Sequence, residues 1–481
     1  MEITNSKPHL VFLSSPGLGH LIPVLELGNR LVTLCNFEVT IFTVLSNTSQ
    51  TETQLLQSAM TAKICEIIQP PPVDISSLIQ PEAAIVTQIS VMMREIRPAF
   101  RSALSALNFG PAAIIIDLSG TESLEIPKEL GIPKYVYMPN NAWFLALTIY
   151  LPFLDQVVEG EFVDQKENLE IPGCRPVRPE DVVDPMLDRS NQQYFEYVRV
   201  GNEIPKADGI LVNTWEALEP TTLAALRDEN LLYKTIKIPV FPIGPVRRAV
   251  GKVQVGSKCE LLNWLDNQPK ESVVYVSFGS GGTLSFEQMQ EIAYGLEMSH
   301  QRFIWVVRRP TIETGDSSFF TTGNVGDDDI SRYLPDGFLT RTKNIGRVIP
   351  GWGPQVQIIG HPSTGAFFSH CGWNSILESL TNGVPIIGWP LYAEQRLNAT
   401  LLAEEVGVAV KPKILPSNGV VKREEIVMMI RKIMADEEEG DKIRKRVKEV
   451  KENSERALNE GGSSCNALSS FAGECKKGWK R

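Results

Sequence analysis

Histidine and cysteine are scarce in this chain, and basic charge is outweighed by acid. Five histidines and seven cysteines are scattered over 481 residues, with an odd cysteine count and no CxxC pair. Such spacing supports neither a disulfide framework nor a zinc ribbon, and it suits a reducing cytosol. A net charge of -10 removes the concentrated basic face that a nucleic-acid partner demands. The one basic run, "KIRKRVKEVKENSER", alternates with acids and reads as a solvated helix face. No stretch reaches the roughly 18 apolar residues of a membrane span. The most apolar window, "YVYMPNNAWFLALTIYLPFL", is interrupted by Pro139, Asn140 and Asn141. "MEITNSKPHLVFLSS" lacks a basic region followed by a long apolar core, so neither signal peptide nor anchor is expected. These absences describe a cytoplasmic protein with no nucleic-acid or membrane partner.

A complete dinucleotide fingerprint is also missing. "PGLGH" supplies Gly17 and Gly19, yet Ile22 stands where the third glycine belongs, and the following strand ends in "TVLSN" without an acid for an adenosine ribose. "FGSGG" is likewise off pattern, and the strand after it ends in Arg308 and Arg309. A nicotinamide-dependent oxidoreductase is therefore a weak alternative, and a tight strand-to-helix turn is the plainer reading of both loops.

What the sequence does hold is the same pattern twice. "HLVFLSSPGLGHLIPVLELGNRLV" is an apolar strand, a glycine loop, then apolar residues at helical spacing through Leu21, Leu25, Leu27 and Leu31. "FEVTIFT" and "AAIIIDLSG", the latter ending in Asp117, add strands of a buried parallel sheet. "SVVYVSFGSGGTLSFEQMQEIAYGLEMSHQRFIWVVR" begins the second half in the same way. The expected organisation is α/β with two doubly wound, Rossmann-like domains: residues 1–244, a linker at 245–258, and 259–481, whose last helix could pack back on the first domain. A ligand is expected at the C-terminal ends of the strands. The polar, glycine-rich segment before Tyr333 reads as a long surface loop, in which Asp327–Asp329 formally spells a D-x-D metal clamp but carries no strand end to present it.

"FFSHCGWNSILES", residues 367–379, holds the densest chemistry. Adjacent His370 and Cys371 point in different directions from a strand end, which disfavours a shared zinc ion. Cys371 reads as a small buried thiol before it reads as a nucleophile. Gly372, Asn374 and Ser375 suit a helix start, and Ser375 to Glu378 matches the capping-box pattern. Such a helix mouth could hold a phosphate, with Ser375 and His370 donating and Glu378 free for ribose hydroxyls. The same residues serve a helix that is merely capped, so both readings stand.

The segment Trp352–Gln395, "WGPQVQIIGHPSTGAFFSHCGWNSILESLTNGVPIIGWPLYAEQ", resembles without a gap the signature box of plant family 1 UDP-sugar glycosyltransferases. "SSPGLGHLIP", "GILVNTWEALEP", "WLDNQP" and "YVSFGSGGTLS" extend the likeness along nearly the whole chain, toward the hydroquinone and monolignol glucosyltransferase branch. The resemblance implies a GT-B fold and an inverting, metal-independent UDP-glucose:phenol O-glucosyltransferase with no cofactor beyond the donor; a monomer is the default expectation. It implies that Trp352 stacks on uracil and that the Gln355 backbone reads the uracil edge. Glu378 would take the ribose, and His370, Asn374 and Ser375 the diphosphate, with Ser280 also in the UDP-sugar site. Trp373, Glu394 and Gln395 would surround the sugar. It gives His20 as general base and Asp117 as its partner, with Ser14, Ser119 and Phe144 in the acceptor pocket. Two positions depart from the pattern: Gly353 replaces a usual alanine, and Ser119 replaces a bulky aromatic, which leaves the acceptor open from hydroquinone-like phenols to coumarins and flavonoids. A non-catalytic binder of nucleotide sugars or phenols on the same fold is the alternative from another class.

Overall fold

Strand residues alternate in direction, so a strand covered on both faces must be apolar at every position. "VVYVS" at 273–277 shows this: Val274 and Val276 enter one core, and Val273 and Tyr275 the other. The computed structural model describes residues 7–44, 50–80, 82–248, 260–311 and 330–479. The chain divides into two units, Met1–Arg247 with Arg456–Arg481, and Arg248–Glu455. Most of the expected linker, and Asp327–Asp329, lie outside the described residues.

In the first unit the strands are β1 (His9–Ser14), β2 (Glu38–Thr43), β3 (Glu66–Ile68), β4 (Ala113–Asp117), β5 (Lys134–Met138), β6 (Gly209–Val212) and β7 (Val240–Pro242). They form one parallel sheet in the order β3-β2-β1-β4-β5-β6-β7. The order reverses between β1 and β4, where Leu10 to Leu13 pair with Ala113 to Ile116. Both strands are buried throughout. The helix Ser463–Trp479 belongs to this unit: Leu468, Phe471, Ala472 and Cys475 join its core, and Phe471 meets Tyr135 edge-on at 4.8 Å.

In the second unit β8 (Val273–Ser277), β9 (Arg302–Val307), β10 (Gly346–Pro350), β11 (Thr364–Ser369), β12 (Ile386–Gly388) and β13 (Ala409–Val410) form a second parallel sheet, β10-β9-β8-β11-β12-β13. Its reversal falls between β8 and β11, which end at Ser277 and Ser369. In open α/β sheets such a reversal leaves a crevice beyond the strand ends, because successive crossovers run to opposite sides. Each unit has one.

Candidate active site

The first reversal carries His20 and Asp117. Gly17 sits at φ 97, a conformation strained for any side chain, and it caps the helix Leu18–Cys35. The glycine loop therefore ends earlier than expected, at Gly17, and Gly19 and His20 lie in the helix's first turn. His20 Nδ1 is 2.7 Å from Asp117 Oδ2. The Asp117 side chain is wholly buried, and its Oδ2 also accepts from the Ser15 N–H at 3.3 Å. Facing a carboxylate, Nδ1 carries the proton, which leaves the Nε2 lone pair as the ring's basic position. Ser14 ends β1, is buried, and donates its hydroxyl to the Ser15 carbonyl. Ser119 lies half-buried in the 3₁₀ segment Leu118–Leu124.

Phe144 opens the apolar helix Ala142–Val157 and stacks on Tyr197 with centroids 6.0 Å apart. Its N–H donates to Asn141 Oδ1 at 2.7 Å. The two preceding N–H groups, of Ala142 and Trp143, donate to buried Glu219 at 2.9 Å each. Thr214 adds a third bond to Glu219, while Asn213 holds the Val246 backbone through both its amide atoms. "GILVNTWEALEP" thus works as a brace for this helix start and for the chain leaving the sheet.

The second reversal gathers most of the other candidates. His370 follows β11, and its imidazole lies against two glycines: a β-carbon on Gly279 or Gly372 would come within 2.3 or 2.5 Å of Nε2. Gly279 also needs its φ of 74. Burial, and then the Arg308 guanidinium, push the His370 pKa down to about 3, so the ring is neutral at pH 7. Its Nδ1 has no hydrogen-bond partner among the described residues. The helix Trp373–Asn382 starts here with Gly372 as N-cap and no side-chain cap bond. This overturns the capping-box reading. Because Gly372 takes the cap position, Asn374 and Ser375 fall inside the first turn. Ser375 and Glu378 instead both accept from Gln355 Nε2, at 3.0 and 2.8 Å.

Gln355 has its side chain committed to that bridge, and its N–H donates to the Gly353 carbonyl at 2.8 Å. A methyl on Gly353 would meet Val306 at 3.2 Å, so the missing alanine leaves little free space. Trp352 is 48% exposed, an unusual state for an indole, whereas Trp373 is buried at 4%. Cys371 is fully buried and burial raises its thiol pKa to about 12, which leaves it no role as a nucleophile at neutral pH.

Gln395 is also buried, and its Oε1 accepts from the N–H groups of Leu391 and Tyr392 at 2.9 and 3.2 Å. Its amide nitrogen is the end left to meet a ligand. Half-buried Glu394 receives a bond from Asn398 Nδ2 at 3.3 Å, and the same nitrogen donates to the Cys371 carbonyl at 3.0 Å. Cys371 and Ala393 both have positive φ, 65 and 56. Non-glycine residues pay about 1–2 kcal/mol for that conformation, and each adjoins a residue assigned to the donor, Cys371 following His370 and Ala393 preceding Glu394. Ser280 is half-buried in the loop after β8. Sequence reasoning missed the roles of Arg308, Asn398, Glu219 and the two strained positions; the "GILVNTWEALEP" motif, which contains Glu219, is the one sequence signal among them.

Residues 250–434 match the family model of UDP-glucoronosyl and UDP-glucosyl transferase. Anthocyanidin 3-O-glucosyltransferase 5 of Manihot esculenta is 70% identical over 476 residues, 99% of this chain and 97% of that protein. A crystal structure of TcCGT1 in complex with UDP matches at a TM-score of 0.91 with 47% identity, covering 98% of this chain and 100% of the other. Phytolacca americana UGT2, complexed with UDP-2fluoro-glucose and pterostilbene, matches at 0.86 with 37% identity over 98% and 100%. The chain belongs to the UDP-glycosyltransferase family and has its GT-B fold of two Rossmann-like units. It is a UDP-sugar-dependent enzyme, in keeping with the expected fold and activity.

Proposed function

We propose that the chain is an inverting UDP-glucose-dependent O-glucosyltransferase that converts small phenols to β-glucosides. The contact that carries this reading is His20 Nδ1 to Asp117 Oδ2 at 2.7 Å, which aims a neutral imidazole's basic nitrogen away from a buried carboxylate. A phenol has a pKa near ~10 and is a poor nucleophile at pH 7 until a base removes its proton. His20 Nε2 takes that proton as the phenolic oxygen attacks the anomeric carbon, and Asp117 stabilises the imidazolium that forms. UDP departs from the opposite face, so an α-linked donor yields a β-glucoside.

In the second unit Trp352 stacks on the uracil and Glu378 takes the ribose. The Trp373 helix mouth with Asn374, Ser375 and Ser280 holds the diphosphate, and neutral His370 donates to it as a hydrogen-bond donor rather than as a cation. Glu394 and the Gln395 amide nitrogen read the sugar. Ser14, Ser119 and Phe144 line the acceptor. Phenolic acceptors are supported by the names of the relatives, an anthocyanidin glucosyltransferase and a complex with pterostilbene.

The reaction proceeds without a divalent ion, by a monomer, in the cytoplasm. The helix mouth and the side chains beside it take up the diphosphate charge that a divalent ion would otherwise meet. Mass spectrometry of a phenolic panel incubated with UDP-glucose tests the reading. A mass gain of one hexose on phenols is expected, and no transfer to any phenol would refute it.

A further inference from the structure

Arg308 follows the last residue of β9, and its guanidinium lies among groups assigned above to the donor. Nη1 donates to the Ser280 carbonyl, and Nε to the Gly351 carbonyl at 3.3 Å. The guanidinium carbon sits 5.9 Å from the centroid of the Trp352 ring. These contacts use Nε and Nη1 and leave Nη2 without a hydrogen-bond partner among the described residues. No carboxylate among those residues lies within ion-pair distance.

Burial lowers the Arg308 pKa, and the groups that favour its charge are the phenols of Tyr392 and Tyr275, not acids. A guanidinium nevertheless stays protonated, so the site contains a half-buried cation with no carboxylate counter-charge among the described residues. Its field reaches the strand end opposite, where it helps keep His370 neutral. Such a charge is costly unless an anion completes it. The other features near the diphosphate, a helix mouth and a neutral imidazole, offer only partial charge.

We propose that Arg308 is a further donor-binding residue, whose Nη2 donates to, and whose charge balances, the diphosphate of the UDP-sugar and the departing UDP. The proposal rests on the reading of the second unit as the donor site. In the ground state the guanidinium pairs with a diphosphate ester. As the glycosidic C–O bond breaks, the bonding pair passes to the β-phosphate oxygen, and the added negative charge strengthens the same contact. Lysine would keep the charge but lose the planar fork.

Calorimetric titration of UDP and of uridine into wild type, Arg308→Gln and Arg308→Lys tests this. Arg308→Gln should weaken UDP about 10- to 100-fold, the range for a hydrogen-bonded charge, and weaken uridine by about 3-fold or less. Arg308→Lys should fall between wild type and Arg308→Gln for UDP and match wild type for uridine. Equal weakening of UDP and uridine would mean that Arg308 only ties the Ser280 and Trp352 loops, and would overturn the proposal, as would unchanged UDP affinity in Arg308→Gln. If Arg308→Gln does not fold, Arg308→Lys decides by the same comparison. Wild type that binds no UDP would instead refute the donor site itself.

Discussion

The imidazole of His370 occupies the space in which residue 279 would carry a β-carbon: built on Gly279, that atom would stand 2.3 Å from Nε2. Loop and histidine therefore form one unit, and the loop's second requirement, a φ of 74, compounds the first.

Gly279→Ala should displace His370 and lower UDP affinity by about tenfold or more, since a strained φ alone costs about 1–2 kcal/mol before the clash is counted. Titration with UDP measures it. Wild-type affinity in a folded Gly279→Ala would show that the ring position is not needed for the donor.

His20→Ala should lose about 10²- to 10⁴-fold in kcat with UDP binding little changed, the usual contribution of a general base. Asp117→Asn should also be impaired, because the amide cannot balance the imidazolium. The loss in His20→Ala should shrink with nitrophenols, which are already partly ionised. Rates against phenols of graded pKa provide the check, and full activity of His20→Ala on an unactivated phenol would remove His20 from the mechanism.

Gln395 allows structure and recognition to be separated. Its Oε1 fixes the Leu391 and Tyr392 amides, and its nitrogen is left for the sugar. Gln395→Glu keeps an oxygen for the two amides but loses the donor. Its expected phenotype is a normal unfolding temperature with a reduced preference for UDP-glucose over UDP-galactose. An unaltered ratio of kcat/KM for the two donors would count against a sugar-reading role.

The depressed pKa of His370 has a consequence for stability. Between pH 6.5, where the unfolded histidine titrates, and about 3, the unfolded chain binds a proton that the folded chain refuses. Stability is therefore whole above pH 6.5 and declines as pH falls toward 3. In His370→Asn the decline from pH 6.5 to 4 should be shallower, measured on the thermal transition that UDP shifts. Identical slopes would contradict the burial of a neutral ring.

Chelation should leave activity intact, since the donor's charge is met by the helix mouth and side chains. Loss of transfer on adding EDTA, restored by manganese or magnesium, would redirect attention to Asp327–Asp329.

Much of this was legible in the sequence because burial on two faces writes itself as unbroken apolar runs. β1, β4, β8 and β11 stand where "HLVFLS", "AIIID", "VVYVS" and "TGAFFS" announce them. Asp117 at a strand end was readable for the same reason. The start of the second-unit helix was misread because serine and glutamate three apart look alike whether they cap each other or answer to a third residue. That residue, Gln355, lies twenty positions away. The positive φ of Cys371 and Ala393 could not be seen, since neither residue type signals it and the compensating bond to Cys371 comes from Asn398. Arg308 entered the sequence reading only as the absence of an acid.

The return of Ser463–Trp479 to the first sheet makes that unit discontinuous, with the second inserted into it. During synthesis the ribosome lays down seven strands, then an entire second sheet, before it makes the segment that covers Tyr135 and Phe241. The half begun first is thus completed last. A nascent chain stalled anywhere before Ser463 would expose an apolar face of the half bearing His20, even with its other half fully folded.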